Sequence, residues 1–546
     1  MPKTILLRSL ICVVVLLAVL SASHQKASAA TILVTTPQDG ALGSVAGCSL
    51  REAVNAINMQ SNGNGCSNSA NRPFGTNDEI RFANGVNNIT LSLPANPLAT
   101  ASLFIQRPVL IRGQGSTVTT ITGGGSALTL IENSSVLRLR SIRLRNAGTG
   151  VRNMPDATAQ LILVLLTGHS GRAIVNRGRM TMLRVTVSDN PGGGVANANM
   201  TPVNFIGGFH NSFGFDSPDC TVACPLNCVS CGGSGGSGSI PPAPAFPSGH
   251  APSGLQILLS VISNNGPVAC AGVVNGGGIV AGQPGGVGGI GGNPLAPDEK
   301  LEGALTIRRS RIIGNTAGTD KGGGICNQSA ALILESEISG NVAGQGGGVA
   351  ALGLPPGQMA IVTKPTTFIG NSTISSNTAS TAGGGVFVET GGGDLNLQFC
   401  TITLNASLGT GAAAAGGIAA QLQANVAFRS NALVNNRSAA TGVPLQDCAN
   451  ITLNGNFNFW PVTNTGSCSL LGQTNITTGS ALLGALAGNG STFSSSHLPA
   501  ANSALVDAIP TTNGSCGGID QRLRTRPRDG NNDQRNGCDI GAIERP

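Results

Sequence analysis

Charged side chains crowd the C-terminus of a chain that is otherwise poor in them: Asp520, Arg522, Arg524, Arg526, Arg528, Asp529, Asp533, Arg535, Asp539 and Glu544. Carboxylates at that density can ligate calcium, and arginines can grip the acidic groups of a glycan. On this view Asp520, Arg522, Arg526, Asp539 and Glu544 are the binding candidates. The alternative, which we favour, is a self-paired cap closed by a Cys516–Cys538 disulfide. Acids are sparse elsewhere. Hydrolysis of a glycosidic bond needs two carboxylates placed across it. Between residues 160 and 440 only Glu335 and Glu337, two apart, would share the face of a strand. They follow Leu332 and Leu334 in an alternating run and read as a solvated strand pair. His169 and His210 lack partners at triad spacing, and no serine or cysteine stands in a nucleophile elbow. No catalytic residue is assigned, and no cofactor is implied.

Cysteine is the second chemistry on offer. Of 14 cysteines, Cys12 falls in an N-terminal leader, which leaves an odd number in the mature chain. The leader has Lys3 and Arg8 before the apolar run Leu10 to Leu20, then an A-x-A site at Ala27 to Ala29. That is the pattern of a secretory signal peptide over residues 1–29, so disulfides are the default, with one thiol left over. Cys48 with Cys66, and Cys448 with Cys468, are spaced to close short loops. CTVACPLNCVSC holds Cys220, Cys224, Cys228 and Cys231. Its spacing invites zinc, but zinc sites commonly use two separated pairs, so local disulfides are expected and no metal. Removing the three leader cations takes the net charge from +7 to +4, which is no footprint for nucleic acid. Tyr is absent and Trp is single, so few surfaces could stack a base or a sugar ring. No stretch after the leader is long and apolar enough to span a bilayer.

The elements that must position these groups are repeats. A glycine step recurs at Gly192, Gly276, Gly322, Gly346, Gly383 and Gly416. A second step, a short apolar pair followed by Asn, ends at Asn190, Asn265, Asn315, Asn341, Asn377, Asn405 and Asn436. Short alternating runs such as ALILESEIS lie between them and read as half-buried strands. No helical period separates the strands. Short strands joined by Gly and Asn corners at this repeat length predict an all-β parallel β-helix, with equivalent Asn residues stacked into amide ladders. The expected division is residues 30–80 as N-terminal cap, 81–440 as β-helix with insertions near 200–256 and 280–300, and 441–546 as C-terminal cap.

An open solenoid end exposes its lumen and an unpaired strand edge. CSLREAVNAIN, Cys48 to Asn58, answers that need. Ser49 and Glu52 stand at capping-box spacing, and Leu50, Ala53, Val54 and Ile57 line one face of a short helix. The stretch predicts a plug for the N-terminal end, and the C-terminal charged region is expected to seal the other.

CSLREAVNAIN also resembles the CSLREA motif of bacterial exported proteins. The C-terminal region, from Leu482 to Ala508 through DQRLRTRP to CDIGAIE, is similar to the choice-of-anchor Q domain found beside that motif. Leu523 stands where that pattern has Gly, and Ala504 where it has Pro. The resemblance implies a right-handed parallel β-helix at the cell surface or outside the cell, without a defined activity. The pectin-hydrolase motifs N-T-D, D-D, G-H-G and R-I-K are missing. The expected function is that of an exported, non-enzymatic, adhesin-like or spacer rod with a surface glycan or protein as partner. The alternative is a polysaccharide lyase or glycoside hydrolase on the same scaffold.

Overall fold

Alternating apolar residues in short segments, each ended by a residue that accepts a left-handed backbone, dictate a chain that turns and stacks on itself. The computed structural model describes residues 29–69, 72–91, 102–197, 253–275, 303–353, 365–391, 393–411, 414–439, 446–461, 468–512 and 516–546. The leader up to residue 28, His210, Cys220 to Cys231 and the glycine step at Gly276 lie outside the described residues. The protein is a parallel β-helix. One face runs through Thr31–Val34, Asp78–Phe82, Val109–Arg112, Val136–Arg140 and Thr158–Ile162, and ends with Cys448–Asn454 and Cys468–Leu471. The expected boundaries therefore need correction. The ladder begins at Thr31, inside the presumed N-terminal cap, and continues past residue 440 to Leu471. The first strand carries neither the glycine nor the Asn step of the middle coils, and the last coil is bridged at another corner, where Asn458 Nδ2 donates to Asn475 Oδ1 at 3.0 Å.

A full coil has three faces. In one, the strands are Ala330–Leu334, Glu337–Ser339 and Val349–Ala351, in register with Thr366–Gly370, Thr373–Ser375 and Val386–Val388 of the next. Inward residues Ile333, Ile338 and Val349 stack on Ile369, Ile374 and Val386, all fully buried, in a core that runs the length of the rod. Burying each such side chain contributes about 1.5–3 kcal/mol.

The corners explain the sequence steps. Asn190, Asn265, Asn315, Asn341, Asn377, Asn405 and Asn436 form a continuous ladder, each Nδ2 donating to the next Oδ1 at 2.9 Å. Asp447 ends the ladder, accepting from Asn436 Nδ2 at 2.8 Å. The residue before each ladder Asn, from Asp189 to Asn435, has a left-handed φ of 52° to 65°. A second ladder joins Asn133, Asn153, Asn176 and Asn197 at 2.7–2.8 Å. A third corner stacks Ser260, Ser310, Ser336 and Ser372. The glycine steps answer a different constraint, the close approach of successive coils. A Cβ on Gly324 would stand 2.5 Å from the carbonyl of Gly348, and one on Gly348 would stand 2.5 Å from that of Gly385.

Helix α1, Leu50–Met59, plugs the N-terminal end. Ser49 Oγ accepts from Glu52 N at 3.2 Å, and Glu52 Oε2 accepts from Ser49 N at 2.9 Å, so the capping box is complete. Leu50, Ala53, Val54 and Ile57 are buried in the same core as Ile32, Ile80 and Leu103. Cys48–Cys66 ties the helix down. Closing a loop of that length contributes about 3 kcal/mol in the chain-entropy account.

The C-terminal region differs from expectation in where it sits. Residues 480–546 do not cover the far end of the rod; they fold back along its flank. Ala432, Val434, Phe457 and Phe459 of the late coils share an apolar cluster with Leu505, Ile509 and Ile540 of this lobe. No further strand stacks on Cys468–Leu471 among the described residues, and Leu471 is half exposed there.

Candidate functional site

The C-terminal lobe gathers the predicted binding residues, and it turns them inward. Asp520, Asp539 and Glu544 are fully buried, and Arg522 and Arg526 nearly so. Asp520 Oδ2 accepts from Arg522 Nη2 at 2.7 Å and from Glu544 N at 3.0 Å. Glu544 Oε2 accepts from Arg526 Nη1 at 2.6 Å and from Asp539 N at 3.0 Å. Arg522 Nη2 also donates to the carbonyl of Glu544, and Arg526 Nη2 to that of Gly541 at 2.8 Å. The Arg526 guanidinium lies 4.4 Å over the ring of Phe399, a coil residue, so the network also fastens the lobe to the rod. The binding candidacy of these five residues is therefore corrected. Their donors and acceptors face one another, which is what lets so many charges be buried together. Cys516–Cys538 closes this lobe and Cys448–Cys468 staples the coils leading into it. A fourth disulfide, Cys270–Cys326, joins adjacent coils and had no short-loop spacing to announce it. Cys400 is the free thiol among the described residues. It sits in the lumen, where burial pushes its pKa up to about 12.

Glu335 and Glu337 are likewise not the solvated pair their spacing suggested. Glu335 sits at a corner with φ +53°, where Arg308 and Arg309 each donate to it at 3.0 Å. Glu337 opens the next strand on another face and accepts from Arg311 Nε at 2.8 Å, Ser339 Oγ at 2.6 Å and Ser495 N of the lobe at 2.8 Å. Burial works to raise its pKa, but these hydrogen bonds outweigh it and hold the carboxyl below its ordinary range. Beside it, Ser375 Oγ and His497 Nε2 are 2.8 Å apart, while His497 Nδ1 meets the carbonyl of Gly484 at 2.7 Å. Burial lowers the His497 pKa. The arrangement is that of a base holding a hydroxyl, yet both side chains are sealed between lobe and rod and present no face to a substrate. His169 takes the ladder position ahead of Asn190, with burial lowering its pKa to about 4.

Among the described residues, Asp507, Asp529 and Asp533 bring three carboxylate oxygens within 4.8 Å of one another. Each group already accepts backbone amides, Asp507 from Gly530, Asp529 from Gln534 and Asp533 from Arg535. These bonds account for the fold of the loop.

The sequence offered one further signal that its periodicity concealed. In VLRLRSIRLR, Val136 to Arg145, the inward residues Leu137, Leu139, Ile142 and Leu144 are fully buried. Arg138, Arg140, Arg143 and Arg145 take the alternate, outward positions, and Arg140 and Arg145 are exposed. The C-terminus is therefore not the only dense charged cluster. The alternation was legible, but it marked a strand before it marked a surface.

These features define a parallel β-helix with a helical plug at one end and a self-paired lobe on its flank. No protein-family model and no curated protein matches the chain.

Proposed function

We propose that this chain is an exported rod, adhesin-like or spacer, which holds a glycan or protein partner without turning it over. The observation that carries the reading is the fate of its acidic groups. Four of the carboxylates that the sequence offered for chemistry are held by arginines within the fold: Glu335 at a coil corner, Glu337 at the start of the next strand, and Asp520 and Glu544 in the lobe. A general acid and base flanking a sugar need accessible carboxyl groups facing one gap. No helix among the described residues is long and apolar enough to cross a membrane. The four disulfides among the described residues support a location where thiols are oxidised.

The test uses purified residues 30–546 on a glycan array, with the same glycans assayed in solution for new reducing ends and unsaturated uronates. Saturable binding without product is the expected result. Product release would overturn the reading and favour a lyase or hydrolase on this scaffold.

A further inference from the structure

We propose that the arginine stripe on the N-terminal coils is a binding surface for a linear acidic polysaccharide. The proposal rests on the reading of the chain as an exposed binding rod and names the class of its partner. Charge is unevenly spread along the solenoid. Residues 102–197 contain eleven arginines, no lysine and three acids, Glu132, Asp156 and Asp189, a net charge of +8. The whole chain beyond the leader carries +4, so the remainder is net negative at −4. A rod polarised in this way presents its positive end to an anionic partner.

The stripe has a defined geometry. Arg138 and Arg140 lie on one face, Arg143 and Arg145 on the next, on either side of the corner at Ser141. Alternate residues on a strand are about 6.6 Å apart and successive coils about 4.8 Å apart. Arg140 is in register with Arg112 of the preceding coil, and Arg112 with Arg81 of the coil before that. Along the same corner, Leu163 and Arg184 follow Ser141 one and two coils on, each with a left-handed φ. Cationic side chains thus run both across a coil and along the rod axis.

Arg140, Arg143, Arg145 and Arg184 are not ion-paired within the described fold, unlike the buried arginines of the C-terminal lobe. Arg81 and Arg112 share Glu79, and Arg152 is paired with Glu132. Among the described residues no carboxylate lies within ion-pair distance of Arg140, Arg143, Arg145 or Arg184. Arg145 Nε reaches only the hydroxyl of Thr122, at 3.1 Å, and the buried Nε of Arg143 has no partner. Planar guanidinium groups left open in this way suit the paired oxygens of carboxylate or sulfate. A nucleic acid would offer phosphates to the same charges. It would also call for aromatic platforms, and residues 102–197 contain one aromatic side chain, Phe104.

The test measures binding of residues 30–546 to alginate (carboxylate), dextran sulfate (sulfate), neutral dextran and single-stranded DNA, without calcium. The wild type is compared with the triple variant Arg140→Gln, Arg143→Gln, Arg145→Gln and with Arg437→Gln, which changes an exposed arginine on a distant coil. Melting curves verify that the inward leucines still hold the fold, and salt dependence of the wild type gives a second readout free of any folding defect. We expect saturable binding to an acidic glycan, with the tighter of alginate and dextran sulfate identifying the acid group. That affinity should fall roughly tenfold or more between about 50 and 200 mM NaCl, and by about tenfold in the triple variant, with Arg437→Gln unchanged. The proposal is overturned if neither acidic glycan binds, if the triple variant binds as the wild type does, or if DNA binds more tightly than both. Binding of a neutral glycan alone would remove the stripe and leave the binding rod intact. Silence across the wider array would remove both.

Discussion

Asp447 ends the long asparagine ladder, and its position shows what an end residue must do. Each Asn in the ladder donates and accepts, but the last needs only to accept, which Asp447 does from Asn436 N at 2.9 Å and from its Nδ2 at 2.8 Å. Burial nevertheless works against its charge and pushes its pKa up to about 7. The native state therefore binds a proton more tightly than the unfolded chain does. Stability from this group is full below the unfolded value of 3.8, and it is lost as pH rises towards 7. Asp447→Asn keeps an accepting oxygen and removes the charge. We expect the variant to gain on the order of 1–2 kcal/mol at pH 8 and little at pH 4, flattening the pH dependence of denaturant unfolding. Equal destabilisation at both pH values would show that the carboxylate itself is required. Leu523 illustrates the same dependence on backbone position. It has a φ of +69°, so a conformation that favours glycine is held here by a leucine.

At the scale of elements, the middle coils were the most legible part of the sequence because their two steps answer two separate physical demands. Asn marks a corner that needs an amide to bridge coils, and Gly marks a place where coils come too close for a side chain. Gly348→Ala tests the second demand. Its Cβ would meet the carbonyl of Gly385 at 2.5 Å and Asn377 Nδ2 at 3.0 Å, both fixed by the ladders. The expected cost is about 2–4 kcal/mol, read as a lowered melting temperature. Gly411→Ala, where a Cβ meets nothing within 4 Å, should be close to neutral. The end coils were harder to read. Thr31–Val34 carries only the strand signal, and the last coil is bridged at a different corner, where Asn431, Asn458 and Asn475 stack in place of the repeated step. The plug was legible because a capping box and an apolar stripe are local patterns. The placement of the lobe was not. Thr373, Ser375 and Thr401 look like ordinary outward strand residues, and their partners Gln521, His497 and Ala542 lie more than a hundred positions away.

Among the described residues, the molecule is a core of stacked coils with a helix over one end and a lobe along one flank. Deleting residues 480–546 should uncover Thr373, Ser375, Thr401 and Val434, now nearly or fully buried, together with the ring of Phe399. We expect faster hydrogen exchange on Thr373–Ser375 and Thr401–Thr403 in the truncated chain, and self-association on size-exclusion chromatography. Coils near the N-terminal plug should exchange as before. Unchanged exchange on the late coils would mean that they hold without the lobe. The lobe also determines how the rod would bear load. It grips several successive coils at once, through Ser495 to Glu337, Gln521 to Thr373, Ala542 to Thr401 and Gly541 to Ser430. Tension applied near Pro546 would enter through all of these attachments together, as shear across stacked coils. The last strand would be spared the peeling force that opens a solenoid one hydrogen-bonded rung at a time.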